Sequence, residues 1–119
     1  MHEIAIADSI LSAVRTEMKR YPASRPVVIT VRVGELTAID PDALQFSFDA
    51  LTPGTDLAGL QLVIEMRKRV HRCPACGEEF AIEQFDFSCP RCGNAATDFV
   101  SGDQLELASL EMDDESSAA

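Results

Sequence analysis

The chain has 119 residues, 20 of them Asp or Glu against 10 Lys or Arg, giving a formal net charge of −10, and 46% are hydrophobic. That length suffices for one compact domain with a small appendage and excludes two full-sized hydrophobic cores, while the apolar content is too high for general disorder. No stretch approaches the roughly 18 uninterrupted apolar residues of a membrane-spanning helix, and a chain this acidic repels phosphate backbones unless its few cations cluster, which argues against nucleic acid and membrane as partners.

The chain opens Met1-His2-Glu3-Ile4-Ala5-Ile6-Ala7-Asp8, with acidic residues where a secretory signal is basic, so a cytoplasmic location is expected. From Ile4 to Tyr21, Ala7, Ile10, Leu11, Val14 and Met18 recur at helical spacing, predicting an amphipathic helix that Pro22 ends. Val27 to Val33 alternates and reads as a strand with Val27, Ile29, Val31 and Val33 on one face, broken by Gly34. Asp40-Pro41 predicts a helix start, with Asp as cap and Pro at the first helical position, followed by Leu44, Phe48 and Leu51. After Thr52-Pro53-Gly54, a second strand is predicted from about Leu60 to Arg69 with Leu62, Ile64 and Met66 inward. Strand, helix, strand implies a right-handed crossover between parallel neighbours. A last strand is predicted over Gln104 to Met112, with the imperfect alternation of a bulge, and 113–119 reads as a disordered acidic tail.

Between these strands, Val70 to about Phe99 holds all four cysteines, few aliphatic residues and many turn formers. The expected fold is α/β: a small mixed sheet with two helices formed by residues 1–69 and 102–112, and an inserted ribbon-like module at 70–101. The strands entering and leaving the module are expected to pair antiparallel.

Cys73-Pro-Ala-Cys76-Gly and Cys89-Pro-Arg-Cys92-Gly are two copies of one knuckle, separated by 12 residues. Two residues between thiols let both sulfurs face one ion, and the following glycine permits a tight turn. Four thiolates favour Zn²⁺ in a closed tetrahedral site, which contributes folding energy to a module whose apolar residues are chiefly Phe80, Ile82, Phe85 and Phe87. A closed site has no position for a catalytic water. The knuckles alone do not choose between zinc and iron, and a thioredoxin-type redox pair, which usually shows a single CxxC, is the lesser reading. Arg67, Lys68, Arg69, Arg72 and Arg91 lie beside the knuckles, so a zinc-ribbon adaptor for nucleic acid or a protein complex is the alternative function; Glu78, Glu79, Glu83, Asp86 and Asp98 dilute that patch.

His2-Glu3 does not make a helical zincin motif, which needs a second His where Ile6 stands, nor the zinc deaminase pattern. His2 lies one residue from the α-amino group of an initiating Met1, so amine, imidazole and backbone nitrogens can approach one ion, a donor set that suits Ni²⁺ or Cu²⁺. The plainer reading is a surface His near a helix start. No Gly-rich phosphate loop or nucleophile motif is present, so an enzyme is not expected.

Met-His-Glu, a strand ending in Val33-Gly34-Glu35-Leu36, the Asp40-Pro41 turn, the paired Cys-Pro-x-Cys-Gly knuckles and Ser101-Gly102-x-x-Leu105-x-Leu107 together resemble the HypA/HybF nickel-insertion factors of hydrogenase maturation, over nearly the whole chain to Met112. The resemblance implies a nickel metallochaperone that carries Ni(II) as cargo and holds a structural Zn(II). It implies delivery to the large subunit of a nickel-iron hydrogenase, cooperation with a nickel-handling maturation GTPase, and a monomer or weak dimer. By the same resemblance His2 is the side-chain nickel ligand, with backbone nitrogens of His2 and Glu3 and the Met1 amine, and Asp40 lies nearby. Cys73, Cys76, Cys89 and Cys92 carry over as zinc ligands, and His71 is the one His flanking them.

Overall fold

A computed structural model describes residues 2–114. The elements run α1 (Glu3–Met18), β1 (Ser24–Gly34), a 3-10 turn (Glu35–Thr37), α2 (Pro41–Leu51), β2 (Gln61–Arg67), β3 (Val70–Arg72), β4 (Glu79–Ala81), β5 (Asp98–Ser101) and β6 (Leu105–Asp114). The chain divides into two compact units: residues 1–32, 39–65 and 106–119, and residues 33–38 and 66–105.

In the first unit, the helical spacing of Ile6, Ala7, Ile10, Leu11 and Val14 puts one buried stripe on α1. It shares the core with Ile29 and Val31 of β1, Leu44 and Phe48 of α2, and Leu57, Leu60 and Leu62. Asp40 caps α2 as its sequence predicts, its carboxylate accepting from the Asp42 N–H at 2.9 Å and the Ala43 N–H at 3.4 Å, with Pro41 opening the helix. Arg15 reaches the loop after α2 to pair with Asp56 at 3.0 Å, an exposed contact of small energetic weight.

The sheet order is β2-β1-β6. The crossover through α2 sets β2 beside β1, but the strands entering and leaving the cysteine segment, expected from the sequence to pair with each other, instead both flank β1. The reason is burial: with Ile29, Val31 and Val33 all buried, β1 is the most buried strand of the sheet, and the centre of a sheet is its most covered position. The flanking strands carry the solvent-facing side chains. Met66 is exposed rather than inward, and Leu105 and Leu107 are exposed too. Asp113 and Asp114, expected in the tail, are the end of β6, where Asp113 pairs with Arg25 at 3.5 Å; residues 115–119 lie outside the described residues.

In the second unit the sheet order is β4-β3-β5, with His71 of β3 opposite Phe80 and Phe99 in two antiparallel pairings. The unit extends beyond 70–101 and takes in Val33–Ala38 because three backbone segments cross within it. The Leu36 N–H donates to Gly102 O and the Gly34 N–H to Gln104 O, both at 2.8 Å, and the Arg69 N–H donates to Glu35 Oε1 at 2.8 Å. A Cβ at Gly34 would stand 2.1 Å from Gly102 O, so only glycine fits that crossing.

Phe85 departs from the expected core role: it is 87% exposed. Gln84 and Phe85, with φ of 51° and 62°, form the two central positions of a tight turn closed by the Asp86 N–H donating to Glu83 O at 3.0 Å, and that turn carries the ring outward.

Phe48 is fully buried and Phe46, two residues earlier on α2, is 77% exposed. Phe48→Ala is expected to cost about 3–5 kcal/mol in urea unfolding and Phe46→Ala to stay within about 0.5 kcal/mol.

Candidate metal centre

Each cysteine pair sits on a backbone knuckle built identically by its local sequence. The Gly77 N–H donates to Cys73 O and the Gly93 N–H to Cys89 O, both at 2.8 Å, and the two glycines take φ of 79° and 81°, the left-handed conformation glycine adopts without steric cost. The Cys73 N–H donates to Glu78 O and the Cys89 N–H to Asn94 O, both at 2.9 Å, completing the two loops.

The knuckles bring four sulfurs together. Cys73 Sγ lies 3.5 Å from Cys92 Sγ, Cys76 Sγ lies 3.6 Å from Cys89 Sγ, and all four ligand atoms fall within 4.8 Å of one another. These separations are far longer than a disulfide bond, and all four cysteines are free. They fit a tetrahedral thiolate site, in which a metal–sulfur distance of about 2.3 Å puts neighbouring sulfurs about 3.8 Å apart. Cys73 and Cys89 are buried, Cys76 is half-buried and Cys92 is exposed.

Electrostatics divide the four. Burial pushes the Cys73 thiol up, but backbone N–H groups of Cys76 and Ala75 and the neighbouring Cys92 outweigh it and bring it down to about 6. At Cys89 burial is likewise outweighed, by the N–H groups of Cys92 and Arg91, and its thiol is lowered. The Glu78 N–H favours the Cys76 thiolate, yet burial and the crowding of the other three sulfurs push Cys76 up to about 12. Cys92, although it receives the Asn94 N–H, is raised by Cys73 and by burial. The four thiols thus differ in how readily they ionise, Cys73 and Cys89 being lowered and Cys76 and Cys92 raised, and a divalent cation at their centre would favour ionisation of all four together.

His71 is not among these ligands. It is 4% exposed, stacked on Phe87 at 5.3 Å and edge-on to Phe99 at 6.1 Å. The Thr97 hydroxyl donates to Phe87 O at 2.6 Å, so it accepts from His71 Nδ1–H at 3.0 Å, and His71 Nε2 then accepts from Arg69 Nε–H at 2.8 Å. Both ring nitrogens are engaged, and Arg69 lies over Phe87 at 4.6 Å. This aromatic and cationic stack had no signal in residue spacing, because its members come from separate strands and loops.

Three of the basic residues beside the knuckles have local partners. Lys68 pairs with Glu83, Arg91 pairs with Glu78 at 3.7 Å, and Arg69 serves the stack on His71.

At the start of the first unit, His2 is exposed and takes the N-cap position of α1 with extended backbone, its side chain making no capping bond. Glu3 opens the helix, and its carboxylate accepts from the Asp40 N–H at 3.2 Å, so Glu3 and Asp40 are brought together. Met1 lies outside the described residues.

Fold and site together describe an α/β protein with a four-cysteine cluster able to hold a metal ion. A family model described as hydrogenase/urease nickel incorporation, metallochaperone, HypA, matches residues 1–112. Among curated relatives, the hydrogenase maturation factor HypA of Desulfitobacterium hafniense is 33% identical over 96% of this chain and 100% of its own. That of Methylocella silvestris is 35% identical over 95% and 100%. A solution structure of the Ni metallochaperone HypA from Helicobacter pylori shares the fold, with a TM-score of 0.64 and 24% identity over 94% of this chain and 97% of the other. The chain belongs to the HypA family of hydrogenase maturation factors.

Binding of a divalent cation must displace protons from Cys76 and Cys92, whose thiols are raised, whereas Cys73, lowered to about 6, is already largely ionised at pH 7. Calorimetry at pH 7 in buffers of different ionisation enthalpy is expected to show release of fewer than four protons per ion. Protonation competes with the metal, so affinity should weaken as pH falls through about 6, where Cys73 also takes up its proton.

Proposed function

We propose that the protein binds Ni(II) at its amino-terminal residues and delivers it for insertion into nickel-iron hydrogenase, without turnover of its own. The observation that carries this reading is His2. The residue is exposed at the N-cap of α1, its own backbone nitrogen and that of Glu3 are adjacent in the chain, and the Glu3 carboxylate accepts from the Asp40 N–H. Nitrogen donors in a plane favour Ni²⁺, which can drive amide deprotonation. Met1 contributes its amine, Glu3 positions the site, and Asp40, whose carboxylate caps α2, supports Glu3 through its N–H.

Such a site holds metal while the amides are deprotonated and releases it when an acceptor exchanges ligands or the amides regain their protons. The large subunit of the hydrogenase is the acceptor and a nickel-handling GTPase the cooperating partner, in a cytoplasmic setting. The family's description as hydrogenase/urease nickel incorporation supports the nickel cargo in this reading. Cys73, Cys76, Cys89 and Cys92 hold Zn(II), which supplies folding energy to a unit with few apolar side chains. The four-sulfur donor set favours zinc and leaves no open position for chemistry. The adaptor reading is weakened, since Lys68 and Arg91 of the basic patch it requires pair with Glu83 and Glu78.

The test is Ni²⁺ titration by calorimetry and visible absorption at fixed zinc content. Wild-type protein, His2→Ala and a variant with residues added ahead of Met1 are compared. Wild type is expected to bind stoichiometrically with a yellow square-planar band that both variants lose. Equal binding in all three would remove the amino terminus from the mechanism.

A further inference from the structure

The two knuckles superimpose in sequence: Glu78 and Asn94 each stand two residues after the second cysteine of their own pair. Their backbones do the same work. Each carbonyl accepts from the first cysteine's N–H at 2.9 Å, and each N–H faces the second cysteine's sulfur, Cys76 for Glu78 and Cys92 for Asn94.

Their side chains differ. Glu78 turns to the rim and pairs with Arg91 at 3.7 Å. The Asn94 amide crosses to the other knuckle, with Nδ2 donating to Cys73 Sγ at 3.8 Å. Its orientation is set by a second bond: Oδ1 accepts from the Ala96 N–H at 3.0 Å, which leaves the NH₂ group for the sulfur. Every polar group of Asn94 is therefore engaged. Two of them address the neighbouring sulfurs of Cys92 and Cys73, which lie 3.5 Å apart and come from different knuckles.

We propose that Asn94 is a positioning residue for the metal centre, bridging the knuckles by donating to Cys92 through its backbone and to Cys73 through its side chain. An N–H donor beside a thiolate spreads its charge and fixes its direction, which holds the Cys73–Cys92 edge at the spacing a bound ion needs. No equivalent side chain supports the Cys76–Cys89 edge from Glu78, so the centre is built asymmetrically. The proposal rests on the reading that the four cysteines hold zinc.

The experiment uses the full zinc-loaded chain in competition with a chromophoric chelator. Asn94→Asp keeps the acceptor for Ala96 and replaces only the donor facing Cys73. Asn94→Ser keeps a turn-forming oxygen, adds no charge and is too short to reach the sulfur. Both variants are expected to lower zinc affinity by about 10- to 100-fold, the usual effect of removing an outer-shell partner. In cobalt-substituted protein both should shift the thiolate-to-metal charge-transfer band. Glu78→Gln, at the matching position, should leave affinity and spectrum at wild-type values. Wild-type affinity and an unshifted cobalt band in both Asn94 variants would overturn the proposal, as would an equal loss in Glu78→Gln. A wild-type chain that takes up no zinc would instead overturn the underlying reading of the cysteines.

Discussion

Four cysteine sulfurs drawn within 4.8 Å of one another set the terms for the second unit. Sulfurs this close cannot all ionise by themselves, and the opposed shifts of Cys73 and Cys76 are the direct expression of that crowding. A cation at their centre turns mutual repulsion into a shared attraction and ties two chain segments together. The surrounding unit is arranged to make this workable: short strands, two glycine turns, and a small stack of His71, Phe80, Phe87 and Phe99 with Arg69 laid over it.

The first unit depends on a different kind of cohesion. Its two helices and the central strand β1 bury a continuous set of aliphatic side chains with Phe48, and no metal is needed to hold them. Its chemical interest lies at the rim, where α1 begins. A helix start is a place where backbone nitrogens lack intrahelical acceptors, and His2 and Glu3 stand there with Asp40 close by. A cargo site at such an end can exchange its ion with little disturbance to the core. A closed four-sulfur site within a folded unit suits retention. The proposed division between a transferable and a resident metal accords with where each donor set sits.

Charge supports the same picture. The formal net charge of −10 favours cations and basic partners, and of the cations near the knuckles Lys68 and Arg91 pair with local carboxylates while Arg69 lies over the aromatic stack. Arg69 shows how misleading a linear run of basic residues is: it extends the Arg67-Lys68 run in sequence, yet its guanidinium serves an internal contact with His71.

Much of this protein was legible in its sequence because the relevant physics is short-range. Helical periodicity placed the buried stripe of α1, Asp40-Pro41 announced the cap and first residue of α2, and the spacing within Cys-Pro-x-Cys-Gly dictated two knuckles able to face one ion. What spacing could not reveal was any choice made between segments distant in the chain. Only tertiary structure decided that β1 lies between β2 and β6, because centrality in a sheet is a competition for burial among strands. Only it turned Phe85 to solvent, through a left-handed turn at Gln84 and Phe85 that residue type does not advertise. It alone closed His71 between Arg69 and Thr97 and carried the Asn94 amide across to Cys73, since hydrogen bonds are satisfied by proximity in space and leave no periodic trace along the chain.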